Sequence, residues 1–315
     1  MQEFIFCEIT EQEVCQLLSS SSIKASGLYG LPAKLIKLAS PYIAKSLTTI
    51  FNRSISTGIF PFEWKNARVT PIYKSGPKSN MDNYRPISII LVIAKTMEKL
   101  VHNQVYSYLQ RANILTNAQH GFRPLHSTVT ALLKMTNHCY QNMDEGLING
   151  VVFLDLKKAF DTVDHGILLK KLYLYGVRGK AHDWFRSYLS NRTQYCQVNG
   201  KRSEPRTIIT GIPQGSILGP LLFLVYIKND LPNCLKSADC DMFADDIQLG
   251  MANKDVKVIF EMLNDDLANI SVWMVANKLS LNKCKTEYMF IGSHQKLKQC
   301  NSELQIKLEI RLFNE

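Results

Sequence analysis

The sequence lacks the features that mark several common classes of protein. Its eight cysteines form no C-x-x-C pair, so neither a zinc knuckle nor a disulfide framework is indicated, and we expect reduced, mostly buried thiols. The longest apolar stretch, Ile217 to Ile227, contains Gly219 and Pro220 and is too short to span a bilayer. Met1-Gln2-Glu3 is not the basic region of a secretory signal. These absences predict an intracellular protein, in the nucleus or the cytoplasm, that is neither secreted nor bound to a membrane.

Acidic residues are scarcer than basic ones. Lys and Arg number 37 against 27 Asp and Glu, which gives a formal net charge of +10. This surplus favours a polyanionic partner, and without a membrane segment it favours nucleic acid over a lipid surface. A chain of 315 residues with 46% hydrophobic content can bury a substantial core. We therefore expect one large domain or two closely packed subdomains rather than a disordered chain.

Helical patterns dominate the first part of the chain. Thr10 and Glu13 have the spacing of a capping box, which predicts the start of a helix. Residues 31–51 again show helical spacing, and we expect Pro41 to interrupt it. The pattern further predicts a strand near 69–73, a turn at 75–77, and helices over 91–110 and 129–140.

From residue 150 onwards, strands and helices alternate. Asp164 is suited to cap a helix over 165–175, and Gly176 lies just past its end. A second helix is predicted over 181–190, and Asn199-Gly200 is a strong signal for a two-residue hairpin turn. No internal repeat is apparent.

Two adjacent carboxylates, Asp245 and Asp246, lie between short apolar segments. This pattern predicts a tight β-hairpin with both acids at its tip. Neighbouring negative charges repel each other, and a divalent cation would give a reason for the pair because Mg²⁺ prefers carboxylate oxygens. The alternative is an ordinary solvated Asp-Asp turn.

A third carboxylate, Asp155, follows a predicted buried strand. Residues 150–154 form a continuous apolar run that ends at this acid. An ionised Asp at such a position is costly unless a metal or a partner compensates its charge. Asp155 could instead cap the helix that follows. Three carboxylates are also what two-metal phosphoryl transfer uses, with the ions about 3.5–4 Å apart.

Seven ordered blocks of the chain resemble signature blocks of reverse transcriptases. Three contain the acids or the turn before an apolar helix: VVFLDLKKAFDTVDH (151–165), GIPQGSILGPLLFLVYI (211–227) and MFADDIQL (242–249). The other four are IFNRSISTGIFPFEW (50–64), ARVTPIYKSG with NYRPISII (67–90), QHGFRPLHSTVTAL (119–132) and NKLSLNKCKTEYMFIG (277–292). Together they cover roughly residues 25–292, and their wording is most similar to LINE-type (non-LTR), jockey-like retrotransposons.

The resemblance implies an α+β fold of the right-hand polymerase type. Its palm would hold Asp155, Asp245 and Asp246 on an antiparallel sheet. The implied organisation is a helical lead-in at 1–65, a fingers-like region at 66–149, a palm at 150–292 and a polar tail at 293–315, with the thumb missing or truncated. The implied activity is that of an RNA-directed DNA polymerase, which uses two Mg²⁺ ions, replaceable by Mn²⁺, and takes an RNA template, a DNA primer and a dNTP.

The resemblance also assigns roles to single residues. Asp155, Asp245 and Asp246 would be the metal ligands, and Lys285 would protonate the departing pyrophosphate. Phe160 would pack beneath the sugar and exclude a 2′-hydroxyl, although a Phe is more often simply part of a core. The remaining substrate-binding candidates are Lys74, Arg85, Arg123, Gln214 and Gly215.

Two other functions remain open from the residues alone. The chain could be a catalytically inactive nucleic-acid-binding remnant of such an element, which the missing thumb favours and the intact acids oppose. It could also be a Mg²⁺ nuclease of another kind, but that enzyme would need neither the Phe160 position nor the Gln214 block.

Overall fold

The computed structural model describes residues 3–20, 32–227 and 230–298, and its secondary structure is mixed α/β. The helices in these residues are α1 (Glu11–Ser20), α2 (Ala33–Thr57), α3 (Val92–Arg111), α4 (Thr128–Asp144), α5 (His165–Leu174), α6 (Gly179–Leu189), α7 (Leu218–Ile227), α8 (Asp230–Asn233), α9 (Val256–Ala276) and α10 (His294–Leu297). The strands are β1 (Asn66–Tyr73), β2 (Tyr84–Ile89), β3 (Ile148–Leu154), β4 (Arg192–Val198), β5 (Lys201–Arg202), β6 (Arg206–Ile208), β7 (Asp239–Phe243), β8 (Asp246–Asn253) and β9 (Glu287–Ile291).

The local signals at helix starts and turns are confirmed. The Thr10 N–H donates to Glu13 Oε2 at 2.8 Å, and the Glu13 N–H donates back to Thr10 Oγ1 at 3.3 Å, so the capping box forms. Asp164 caps α5 by accepting from the Ile167 N–H at 2.9 Å. Asn199 and Gly200 both have positive φ, 48° and 79°, and join β4 to β5 as a two-residue turn.

The expected interruption at Pro41 is wrong, because α2 runs unbroken from Ala33 to Thr57 with this proline inside it. A proline removes one backbone hydrogen bond from a helix interior. Ala44, Leu47 and Phe51, all buried, continue the apolar stripe beyond the proline. Burial of this stripe outweighs the single lost bond.

The chain divides into two compact units, neither of which is a continuous segment. The first comprises residues 1–114 and 163–222. Its sheet has the order β2-β1-β4-β5, with β6 also paired to β4. The β1–β2 pair is antiparallel, whereas β1–β4 is parallel. Trp184 and Tyr188 of α6 stack on each other beside Phe60, and all three rings are buried.

The second unit comprises residues 115–162 and 223–315. Its sheet is antiparallel throughout, in the order β7-β8-β3-β9. Helix α9 packs closely on β3 at Gly150, where an added Cβ would come within 2.4 Å of Ile259 Cγ2, so only glycine allows this approach. The apolar run that predicted a buried strand is confirmed, since Val151, Val152 and Leu154 are all buried.

These two units do not follow the predicted boundaries at 65/66, 149/150 and 292/293. The division into lead-in, fingers, palm and tail therefore stays a prediction, and within the predicted tail residues 299–315 lie outside the described residues. Seven cysteines are described, all as free thiols, but only Cys139 is buried, so the expectation of mostly buried thiols is wrong. No described helix combines the length and the apolar composition that crossing a membrane requires.

Candidate active site

The two adjacent acids lie on a tight hairpin, as predicted, but not both at its tip. Phe243 of β7 pairs with Asp246 of β8, so the two turn residues are Ala244 and Asp245. Asp246 is thus the first residue of β8. Ala244 has a φ of +59°, in the left-handed region that residues other than glycine rarely adopt.

Asp155 follows β3 directly, next to the start of β8. The antiparallel register pairs Leu154 with Ile247, which brings the end of β3 beside the first residues of β8. The carboxylate of Asp155 accepts a hydrogen bond from Asn282 Nδ2 at 2.7 Å. Strand pairing therefore brings Asp155 beside Asp245 and Asp246, which lie much later in the sequence.

A cavity of about 410 Å³ in the second unit is lined by Asp155, Asp246 and Lys285. Partial desolvation raises the pKa of Asp246 above its usual value, and the charges of Asp245 and Asp155 raise it further. A third acid on the wall, Asp241, is neutralised by Lys134, whose Nζ lies 2.6 Å from Asp241 Oδ1. The remaining negative charge on the cavity wall thus comes from Asp155 and Asp246, with Asp245 in the adjoining turn.

The donor set fits a divalent cation, although no complete metal site is preformed. Across residues 3–20, 32–227 and 230–298, no group of three or more His, Cys, Asp or Glu side chains is arranged to hold a metal ion. One oxygen of Asp155 is engaged by Asn282, and the three like charges repel one another. Relief of this repulsion is what a hard cation with carboxylate ligands would provide.

Phe160 is half-buried in the second unit between two other rings. It stacks on Phe223, with 4.3 Å between the ring centroids and an interplanar angle of 20°. Phe122 meets it edge to face at 6.2 Å. The ring is therefore fixed in orientation while part of its surface stays accessible.

The contacts of Arg123 are with its own loop. Its Nη1 donates to the backbone oxygens of Thr116 at 2.6 Å and of Gln119 at 3.2 Å. These bonds satisfy carbonyl groups of the segment that precedes α4. They give Arg123 a structural task, and contact with template or nucleotide stays a prediction.

Gln214 and Gly215 lie in the first unit, on the turn before α7. The Gln214 carbonyl accepts from the Ser88 N–H at 2.6 Å. Gly215 has a φ of +114°, and a Cβ there would lie 2.6 Å from the Ser88 oxygen. Glycine is therefore required at this position by both the backbone conformation and the close approach of β2.

Lys74 and Arg85 also belong to the first unit. Lys74 follows β1, and its N–H donates to the Asn83 carbonyl at 2.8 Å. Arg85 pairs with Ile72 in the β1–β2 ladder. Both cations are exposed and lie near the same end of this strand pair.

Three residues that sequence reasoning missed support the candidate residues. Asn282 binds Asp155, and buried Gln119 binds the backbone of Ala244. In the first unit, fully buried Glu98 accepts from the Ile217 N–H at 2.6 Å and from the Tyr188 hydroxyl at 2.9 Å, and thereby anchors the end of the Gln214 turn. Glu98 could have been found from the sequence, because it is a charged residue on the apolar face of the helical pattern of α3. Gln119 and Asn282 lie inside blocks that resemble the family, but no local pattern singles them out.

The first unit contains a larger cavity, of about 900 Å³, near Phe4, Asn52 and Arg178. None of the predicted site residues lines it. Its size alone assigns it no role.

Sequence comparison identifies the class of protein to which this mixed α/β chain belongs. The family described as reverse transcriptase (RNA-dependent DNA polymerase) matches residues 74–307. The chain belongs to this family.

Within the family, the chain is related to the polymerases of non-LTR retrotransposons. It is 32% identical over 292 residues to the "Probable RNA-directed DNA polymerase from transposon BS" of Drosophila melanogaster. This alignment covers 88% of this chain and 32% of the relative. It is 30% identical over 275 residues to the "RNA-directed DNA polymerase from mobile element jockey" of the same species, covering 84% of this chain and 30% of the relative. The jockey protein of Drosophila funebris is 29% identical over 287 residues, or 88% of this chain and 31% of the relative. The chain spans about a third of the length of these relatives.

Proposed function

We propose that this chain carries the polymerase centre of an RNA-directed DNA polymerase from a non-LTR retrotransposon. The primer 3′-hydroxyl attacks the α-phosphate of a dNTP opposite an RNA template, and pyrophosphate leaves. The observation that carries the proposal is the shared cavity of Asp155, Asp246 and Lys285, with Asp245 in the adjoining turn. In this interpretation the antiparallel sheet of the second unit is the palm of a right-hand polymerase.

Asp155, Asp245 and Asp246 would hold two Mg²⁺ ions, or Mn²⁺ in their place. When bound, such ions would supply Lewis-acid chemistry, favouring deprotonation of the primer hydroxyl and offsetting negative charge on the phosphates. Lys285, exposed on the cavity wall, donates a proton to the departing pyrophosphate. Phe160 presents its ring to the sugar of the incoming nucleotide.

The remaining substrate-binding candidates, which the resemblance in sequence implies, are Lys74, Arg85, Arg123, Gln214 and Gly215. Lys74 and Arg85 bring positive charge to the triphosphate. Gln214 and Gly215 lie on a turn whose backbone is held by Ser88 and Glu98, which suits a surface that positions nucleotide and template. Arg123 adds a weaker contact to template or nucleotide. The net charge of +10 supports backbone binding of RNA and DNA without sequence readout.

Primer extension on a homopolymer RNA template tests the proposal. We expect wild-type protein to extend a DNA primer with Mg²⁺ present and to stop when chelator is in excess. Asp245→Asn should abolish extension while leaving the melting temperature within a few degrees, because it removes a ligand charge and little packing. Asp265→Asn, at an exposed position of α9 in the same unit, is the matched charge control. Extension by Asp245→Asn at the wild-type rate would refute the assignment, and RNA binding without any extension by wild type would favour the inactive remnant.

A further inference from the structure

The segment 118–120 runs alongside β7 of the catalytic hairpin. The Met242 N–H donates to the Ala118 carbonyl at 2.7 Å, and the His120 N–H donates to the Met242 carbonyl at 2.7 Å. Gln119 and Met242 thus form a parallel bridge. This short pairing lies immediately before the turn that carries Asp245.

The side chain of Gln119 reaches past this pairing to the turn itself. Its Oε1 accepts from the Ala244 N–H at 3.0 Å, and its Nε2 donates to the Ala244 carbonyl at 3.2 Å. The same Oε1 also accepts from the Gly121 N–H at 2.7 Å. Gln119 is only 2% exposed, so these bonds are protected from competition with water.

Ala244 needs such support because of its backbone conformation. Its φ of +59° is unfavourable for a residue with a Cβ. Gly121 lies so close that a Cβ on it would come within 2.2 Å of the Ala244 nitrogen. The two polar backbone groups of Ala244 are therefore both bound, and the backbone of Gly121 closes off the space beside them.

We propose that Gln119 is a positioning residue that holds Ala244 in its left-handed conformation and thereby fixes the directions of the Asp245 and Asp246 carboxylates. The peptide of Ala244 leads directly into Asp245, so a change of its φ or ψ redirects both acids. The inference rests on the proposed function for its catalytic meaning. The clamp, which consists of the two hydrogen bonds between the Gln119 amide and the backbone of Ala244, is a property of the hairpin itself. Gln119 touches no reacting atom.

The test compares Gln119→Met, of similar length but without the amide, with Gln104→Met. Gln104 is a matched control because it also binds one residue through both backbone groups, accepting from the Cys7 N–H at 2.9 Å and donating to the Cys7 carbonyl at 3.1 Å. Gln119→Glu is the second variant. It keeps an acceptor oxygen for the Ala244 and Gly121 amides, loses the donor to the Ala244 carbonyl and, when ionised, adds a buried negative charge, so the melting temperatures of both variants are measured alongside.

Three measurements separate positioning from general stability. Hydrogen exchange of peptides spanning 242–247 should speed up about tenfold in Gln119→Met, while the rest of β8 stays protected. Mn²⁺ binding, measured by electron paramagnetic resonance, should weaken about 10- to 100-fold, the range for groups that orient metal ligands. Single-nucleotide kcat should fall by a similar factor with KM for primer–template within about twofold. Gln104→Met should change none of the three.

Rescue gives the sharpest outcome. Glycine adopts positive φ without a penalty, so Ala244→Gly added to Gln119→Met should recover part of the lost Mn²⁺ binding, whereas Ala244→Gly alone should improve nothing. Unchanged exchange at 242–247 and unchanged Mn²⁺ binding in both Gln119 variants would overturn the proposal. If wild type adds no nucleotide but exchange and Mn²⁺ binding change as expected, the clamp stands and the polymerase function fails.

Discussion

Asn282 holds Asp155 at two points. Its Nδ2 donates to Asp155 Oδ2 at 2.7 Å, and its backbone N–H donates to the backbone carbonyl of Asp155 at 2.8 Å. A neutral amide orients a carboxylate without cancelling its charge. The charge of Asp155 therefore remains available at the cavity while its direction is set by the segment before β9.

Replacing Asn282 should show how much this orientation matters. Asn282→Ala frees the carboxylate to rotate, and we expect kcat to fall about tenfold, within the range for outer-shell partners of metal ligands. Asn282→Asp should cost more, because it places a second negative charge against Asp155. Single-turnover incorporation measures both, with the exposed neighbour variant Lys283→Ala as control. Equal activity of Asn282→Asp and wild type would contradict this role.

Phe160→Val should relax the choice of sugar. The smaller side chain opens the space that a 2′-oxygen would occupy. Enzymes discriminate between substrates that differ by one small group by about 10- to 200-fold in kcat/KM. We expect the ribo-to-deoxy ratio of kcat/KM to rise, with a smaller loss for dNTP. Phe290→Val, which alters another ring of the same unit, should leave the ratio unchanged. A fixed ratio together with a lowered melting temperature would make Phe160 a core residue.

Glu98 should make stability depend on pH. Complete burial raises the pKa of its carboxyl above the ordinary value of 4.5, even though Arg192 and the Ile217 amide oppose the shift. The protonated form is thus favoured in the folded protein, and its stabilising contribution is present below pH 4.5 and lost as pH rises through the folded-state pKa.

Urea unfolding from pH 4 to 8 tests this dependence. Glu98→Gln does not ionise and can still accept from Ile217 and donate to the Tyr188 oxygen. Its free energy of unfolding should therefore rise relative to wild type as pH increases. Relative to Glu98→Gln, which does not ionise either, Glu98→Ala should cost about 1–3 kcal/mol at every pH, because it leaves buried donors unpaired. Parallel pH profiles for wild type and Glu98→Gln would disprove the raised pKa.

Gly215→Ala should be more damaging than Gly200→Ala. Both glycines have positive φ, but a Cβ at Gly200 meets nothing within 4 Å, whereas one at Gly215 would lie 2.6 Å from the Ser88 oxygen. We expect Gly200→Ala to cost about 1 kcal/mol for the backbone conformation alone. Gly215→Ala should cost clearly more in thermal unfolding and should also raise KM for dNTP. Equal losses of unfolding free energy in the two variants would mean that β2 can move away from a Cβ at position 215 at no cost in stability.

Short-range features of the fold were predictable because neighbouring residues determine them. The Thr10 capping box, the Asn199-Gly200 turn and the position of Asp155 at a strand end all follow from local pattern. The tip of the β7–β8 hairpin lies one residue away from its predicted position, since the pairing of Phe243 with Asp246 depends on register and not on composition.

Long-range side-chain contacts were not predictable from the pattern. Gln119 and Ala244 are 125 residues apart, and Asn282 and Asp155 are 127 residues apart. Polar residues within a chain offer many such pairings, and only the packed sheet selects one. Pro41 shows that local pattern can also fail at short range. Proline disfavours a helix interior, but tertiary packing of α2 outweighs this preference.

The second unit is interrupted in sequence by residues 163–222, and this interruption determines the order in which its strands are synthesised and can pair. Strand β3 emerges first, but its sheet partners β8 and β9 are translated only after the whole intervening segment. Until then Val151 and Val152, which end almost wholly enclosed, have no strand beside them. Pairing across so long a separation is slow and leaves apolar strands open to aggregation. A product that terminates between Asp155 and Asp245 would carry this lone strand without its hairpin, and should be degraded or precipitate rather than persist as a soluble fragment.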